Sequence, residues 1–133
     1  MSSRYLIDTD WVIHYPNGHE AIIDRLQALQ PAGLALSVIS LCELYEGVLY
    51  SSDPRRNERA LEDFLAGVEL LGIDHAAARR FGEERGRLRA AGRLIGDADL
   101  LIGATALSHG LTLLTNNRRH FERLDSLVLE SAP

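Results

Sequence analysis

Short apolar runs alternate along the chain with segments whose apolar residues recur every three or four positions. Tyr5-Leu6-Ile7 ends in Asp8-Thr9-Asp10, the pattern of a buried strand feeding a helix. Pro16-Asn17-Gly18 predicts a turn. From Glu20 to Gln30 the residues Ile22, Ile23, Leu26 and Leu29 keep helical spacing, and Leu34 to Ile39 predicts a second buried strand. Ser40 is then expected to open a helix with Leu41, Leu44, Tyr45 and Val48 along one stripe. Asp53-Pro54 is a cap followed by a first-turn proline, ahead of Leu61, Phe64, Leu65 and Val68. Glu69 to Ile73 predicts a third strand, and Asp74 caps an arginine-rich helix ending near Gly92. A helix from Asp97 to His109 stops at Gly110. Leu111 to Leu114 predicts a fourth strand, Arg118 to Arg123 a short helix, and Leu127 to Leu129 a last strand.

Strands that alternate with helices require crossover connections, so the expected fold is α/β: three layers, α/β/α, around a central and mostly parallel sheet. The length and a 46% hydrophobic content suit one domain over residues 1–133, since two would each bury too little. No run approaches the roughly 18 apolar residues of a membrane span; Leu100 to Leu114 is broken by Ser108, His109 and Gly110. Asp8 interrupts the first apolar run and no signal-peptide layout precedes it, so a cytoplasmic location is expected. Ligands of such sheets sit at the carboxyl ends of the strands. Asp8 and the Thr115-Asn116-Asn117 segment both fall there.

Each acid near those ends has a structural explanation beside a chemical one. Asp8 follows three apolar residues and could cap the next helix, as could Thr9 or Asp10. Ser40-Leu-Cys-Glu43 fits a capping box, which would return Glu43 to the helix backbone. Asp97 and Asp99 both begin an apolar helix whose dipole favours negative charge. One cap is enough there; the expectation is that Asp97 caps and Asp99 faces a pocket. Asn116-Asn117 suits a turn or a cap, and an asparagine carbonyl can also hold a metal-bound water.

Together these residues say more than singly. Three acids and an amide at strand-to-helix junctions repel one another unless a cation is present. Mg²⁺ or Mn²⁺ suits such hard oxygen donors, and could activate water against a phosphodiester without histidine or lysine. Cys42 has no second cysteine and the five histidines show no ligand spacing, which argues against zinc. His14, His19, His75, His109 and His120 are therefore read as surface or helix-terminal residues, and Cys42 as a small core residue in a chain without internal disulfides.

Charge refines this. A net charge of −5 argues against non-specific coating of nucleic acid, but a carboxylate-lined metal site is acidic by design. All 14 basic residues are arginine. Arg79, Arg80, Arg85, Arg87, Arg89 and Arg93 share one segment opposed only by Glu83 and Glu84. Arg85 and Arg89 are candidates for holding RNA, against the plainer reading of a solvated helix face.

Four segments resemble the PIN-domain family, in particular its VapC-like ribonuclease toxins of bacterial toxin–antitoxin pairs. They are Leu6-Ile-Asp-Thr-Asp-Trp-Val-Ile13, Ser40-Leu-Cys-Glu-Leu-Tyr-Glu-Gly47, Ile95-Gly-Asp-Ala-Asp-Leu-Leu-Ile-Gly-Ala104 and Leu113-Leu-Thr-Asn-Asn-Arg-Arg-His-Phe121, and they span nearly the whole chain. The resemblance implies Asp8 and Asp99 as principal metal ligands, Glu43 as a third acid, and Asn117 where many relatives carry a fourth. Gly103 stands where relatives often have alanine, a small change. The family further implies RNA hydrolysis by metal-activated water, a homodimer, and a cognate antitoxin that inserts a basic side chain into the acidic pocket.

Two alternatives remain. Asp8-Thr-Asp10-Trp-Val12 also fits the D-x-D-x-[TV] motif of haloacid-dehalogenase-type phosphatases, with Asp8 as nucleophile and Asp10 as acid. That chemistry needs a cation, usually lysine, at the transferring phosphate, and the chain has no lysine. The other is a PIN-like module that binds RNA or a partner through the arginine-rich helix without cutting.

Overall fold

The computed structural model describes residues 3–14 and 20–132, and of His14 only the backbone. The expected turn at Pro16-Asn17-Gly18, together with His19, lies outside the described residues. Five strands form one sheet: β1 (Tyr5–Ile7), β2 (Leu34–Ser37), β3 (Glu69–Leu71), β4 (Thr112–Leu114) and β5 (Leu129–Glu130). Their order is β3-β2-β1-β4-β5, and every pair is parallel. Seven α-helices connect or follow them: α1 (Thr9–His14), α2 (Glu20–Leu29), α3 (Val38–Leu49), α4 (Pro54–Leu65), α5 (His75–Ala90), α6 (Asp97–His109) and α7 (Arg118–Phe121). The expected three-layer α/β/α architecture is present.

Successive residues of a strand face opposite sides of a sheet, and the core divides accordingly. Leu6, Ala35 and Leu113 pack with Leu88, Leu100, Ile102, Phe121 and Leu124 beneath α5 and α6. Their chain neighbours Ile7, Leu34, Leu36 and Leu114 pack on the other face with Trp11, Ile22, Leu26, Leu44 and Leu61 of α1 to α4. The central strands β1, β2 and β4 carry little polarity because both of their faces are covered, whereas the edge strands β3 and β5 carry Glu69 and Glu130. The stripes expected on α2, α3 and α4 all point into this second layer.

Several helix ends behave as expected. Asp53 and Asp74 accept from the backbone N–H of Arg56 and Ala77, at 3.4 and 2.8 Å. Gly110 ends α6 at φ 66°, a left-handed conformation that glycine adopts without a Cβ penalty. Two caps are corrected. The helix expected to start at Ser40 starts at Val38, capped by Ser37, whose hydroxyl accepts from Ile39 N at 3.1 Å. Ser40 and Glu43 therefore lie inside α3 and form no capping box. The cap of α6 is Gly96 in extended conformation and not Asp97, whose carboxylate instead meets Arg85 Nε at 3.3 Å. Cys42 is exposed on α3 and is not a core residue.

Candidate active site

The chain enters the sheet at its centre, builds outward through β2 and β3, then returns through α5 and α6 to lay β4 on the other side of β1. The strand order thus reverses between β1 and β4, and the region beyond their carboxyl ends is where sheets of this kind bind ligands. Asp8 is the residue that follows β1. Its N–H donates to Leu114 O at 2.9 Å, extending the β1–β4 ladder by one bond, and its side chain is only 4% exposed.

Both oxygens of Asp8 are engaged. Oδ1 accepts from Thr9 N at 2.8 Å and Oδ2 from the buried Thr115 hydroxyl at 2.7 Å. The first bond goes to the adjacent amide and not to the second or third helical residue, so Asp8 is not an ordinary N-cap. Burial pushes the Asp8 carboxyl up from 3.8 to about 7. The Thr115 and Thr9 bonds oppose that rise, while repulsion from Asp10 and from Asp99 adds to it. Asp99, in the first turn of α6, is thereby placed within electrostatic reach of Asp8.

A continuous chain of contacts joins the four expected site residues. The Thr9 hydroxyl donates to Glu43 Oε1 at 2.8 Å and lies 2.9 Å from Ser40 Oγ, so Glu43 reaches Asp8 through one residue. From Asp8 the path runs to Thr115, whose hydroxyl oxygen also accepts from Asn117 N at 2.9 Å. Asn117 Nδ2 sits 3.3 Å from His120 Nδ1, which lies 2.9 Å from Asp99 Oδ2. Thr9, Thr115 and His120 are the members that sequence reasoning did not single out. A threonine within two residues of each apolar strand end is a faint signal for the first two; nothing local marks His120, which meets Asp99 across 21 residues. The expectation that His120 is merely terminal or superficial is corrected in that respect.

Asn116 and Asp10 hold the wall of the site. Asn116 Oδ1 accepts from Trp11 Nε1 at 3.0 Å and from Ala132 N at 2.9 Å, while Asn116 N donates to Asp10 Oδ2 at 3.1 Å. Arg85, paired with Asp97, stands beside the amino end of α6, and Arg89 is exposed one turn further along α5. Arg87 is turned inward, onto Glu84 and Arg123 O.

Among the described residues no three His, Cys, Asp or Glu side chains converge tightly enough to cage an ion unaided. Mg²⁺ does not require that: it keeps several waters and takes one or two carboxylates in near-octahedral geometry. The mutually repelling Asp8 and Asp99 fit that donor set. The threonine hydroxyls and the Asn117 amide around them carry no charge that would replace the ion.

Two carboxylates at the strand-order reversal, one just after β1 and one on α6, define a class of protein that the whole chain also matches. The family model of the PIN domain covers residues 5–127, and the chain belongs to the PIN-domain family. That membership sets aside the phosphatase alternative. Within the family, it is 38% identical over 130 residues to ribonuclease VapC2 of Haemophilus influenzae, across 96% of this chain and 97% of that protein. It is 33% identical over 127 residues to the tRNA(fMet)-specific endonuclease VapC of Shigella flexneri, with 96% of each covered. Its fold superposes with a TM-score of 0.91 on VapBC2 from Rickettsia felis, solved bound to a DNA fragment from its promoter, at 32% identity over 97% of this chain and 98% of that one.

Proposed function

We propose that this chain is a divalent-metal-dependent endoribonuclease and the toxin of a toxin–antitoxin pair. The observation that carries the reading is Asp8. A carboxylate buried at the end of the central strand, and repelled by Asp10 and Asp99, costs the fold free energy that a bound cation would offset. The relatives named as ribonucleases, and the solved toxin–antitoxin complex from Klebsiella pneumoniae and VapBC-5 of the VapBC toxin–antitoxin family from Mycobacterium tuberculosis, support the substrate class and the partner.

In this reading Asp8 and Asp99 hold Mg²⁺ or Mn²⁺, which when bound supplies charge stabilisation at the phosphodiester and a more acidic water. Thr9 and Thr115 keep the Asp8 carboxylate in one orientation. Glu43, exposed at the rim and fixed by the Thr9 hydroxyl, accepts the proton of the attacking water. Asn117 steadies the wall through Thr115 and His120. Arg85 and Arg89 hold the RNA backbone. The antitoxin inserts a basic side chain among the acids, and the toxin acts as a homodimer. Among the described residues no helix is long and apolar enough to cross a membrane, and the proposed place of action is the cytoplasm.

The test uses purified, partner-free protein with RNA, single-stranded DNA and a phosphomonoester, each with Mg²⁺, Mn²⁺ or EDTA. RNA alone should be cut, and only with a cation. Cleavage that persists in EDTA overturns the metal, and intact RNA overturns the activity. In cells, expression without the partner gene should arrest growth and Asp8→Asn should relieve the arrest; equal growth at matched protein levels would count against a toxin.

A further inference from the structure

His120 Nδ1 has two neighbours, Asp99 Oδ2 at 2.9 Å and Asn117 Nδ2 at 3.3 Å. One ring nitrogen cannot both donate to a carboxylate and accept from an amide N–H. A carboxylate without a proton only accepts, so the shorter contact requires the proton on Nδ1, and Asn117 is satisfied with its amide turned end for end.

The backbone that carries His120 is anchored from two sides. Phe121 and Leu124 are buried against α6, where Gly103 leaves the space that Leu124 fills. Gly103 lies one turn beyond Asp99 on the same helix, so this packing sets the distance between α7 and the Asp99 side chain. From α5, Arg87 donates to Arg123 O at 2.7 Å and the buried Glu84 accepts from Asp125 N at 3.2 Å. The His120–Asp99 pair itself is half in solvent, at 42% and 26% side-chain exposure, so it contributes little to stability. A held contact of low stabilising value, ending on a site carboxylate, calls for a role other than folding.

We propose that His120 is a positioning residue, whose Nδ1–H fixes Asp99 Oδ2 and leaves Oδ1 as the oxygen offered to a divalent cation. The role rests on the metal-dependent reading above. It is the arrangement in which a group behind a ligand restricts its rotation, and loss of such groups commonly weakens metal binding about 10–100-fold.

Mn²⁺ binding to the partner-free protein is measured by calorimetry for wild type, His120→Ala, His120→Asn and Asp99→Asn, with melting curves taken in EDTA. Asparagine places an N–H near the position of Nδ1. His120→Ala should bind Mn²⁺ about 10–100-fold more weakly with its cation-free melting curve unmoved, and His120→Asn should recover most of the affinity. RNA cleavage by His120→Ala should return at saturating Mn²⁺. Unchanged affinity in His120→Ala, no recovery in His120→Asn, or cleavage still lost at saturating Mn²⁺ each overturns the positioning role. Absence of Mn²⁺ binding by wild type overturns the metal-dependent reading itself, and this role with it.

Discussion

Asp8 accepts a hydrogen bond at each oxygen and is still pushed up to about 7, which makes it an expensive residue for the fold and an effective one for a cation. Asp8→Asn and Asp99→Asn are each expected to abolish RNA cleavage while thermal stability stays level or rises, because each removes one of the repelling charges. Full activity of either purified variant would refute the assignment. The same shift predicts a pH dependence. The folded chain keeps the Asp8 proton to about pH 7 and the unfolded chain only to about 3.8. Between those values the folded state holds more protons, so the contribution of Asp8 is complete below about 3.8, falls as pH rises, and is gone above about 7. The loss is on the order of a few kcal/mol. Urea melts of wild type and Asp8→Asn at pH 5 and pH 8 should show it as a slope present only in wild type, and millimolar Mg²⁺ should flatten it. Parallel slopes would mean that Asp8 is not the titrating group.

At the scale of elements, the alternation of short apolar runs with helical spacing located β1, β2 and β4 well, because strands covered on both faces carry no competing polar signal, while the edge strand expected at Leu127–Leu129 proved to be Leu129–Glu130. Their ends were harder. Leu34 to Ile39 is one apolar run, yet the strand stops at Ser37 and Val38 already belongs to α3. Hydrophobicity cannot mark that change where strand and helix are buried in the same layer, and Ser37 and Ser40 are equally good caps on paper. At α6 the preference for an acid at the cap favoured Asp97, whereas the chain uses Gly96 and spends Asp97 on Arg85. Asp8 and Asn117 were legible because each lies just past a strand end, and Glu43 and Asp99 because each falls in a segment of the family resemblance; Thr9 and His120, which join them, were not, since the contacts span different elements. Gly103 shows the same limit. Alanine there reads as a small change, but its Cβ would collide with the buried Leu124. Gly103→Ala is expected to cost about 1–3 kcal/mol. Gly82→Ala and Gly86→Ala, with open space around α5, should each add about 0.5–1 kcal/mol. Thermal melts of the three variants check the sign, and a stabilised Gly103→Ala would show that Leu124 yields freely.

For the molecule as a whole, the balance of −5 and the arginine-rich α5 point to a substrate bound by a local patch on an acidic body. The pairing of Arg85 with the exposed Asp97 is weak enough for RNA phosphate to replace it. Replacing Arg85 and Arg89 with Gln in an Asp8→Asn background should weaken RNA binding and flatten its dependence on salt. An unchanged slope in filter-binding titrations would return α5 to a solvated face.

The placement of β1 between β2 and β4 also governs when the site can first form during synthesis. Asp8 and Glu43 leave the ribosome early, but Asp99, Thr115 and β4 come from the last third of the chain. A nascent chain therefore holds two of the three site acids, and no assembled site, until synthesis is almost complete. A premature stop after β3 would yield a fragment that lacks Asp99, Thr115 and β4, and with them the assembled site.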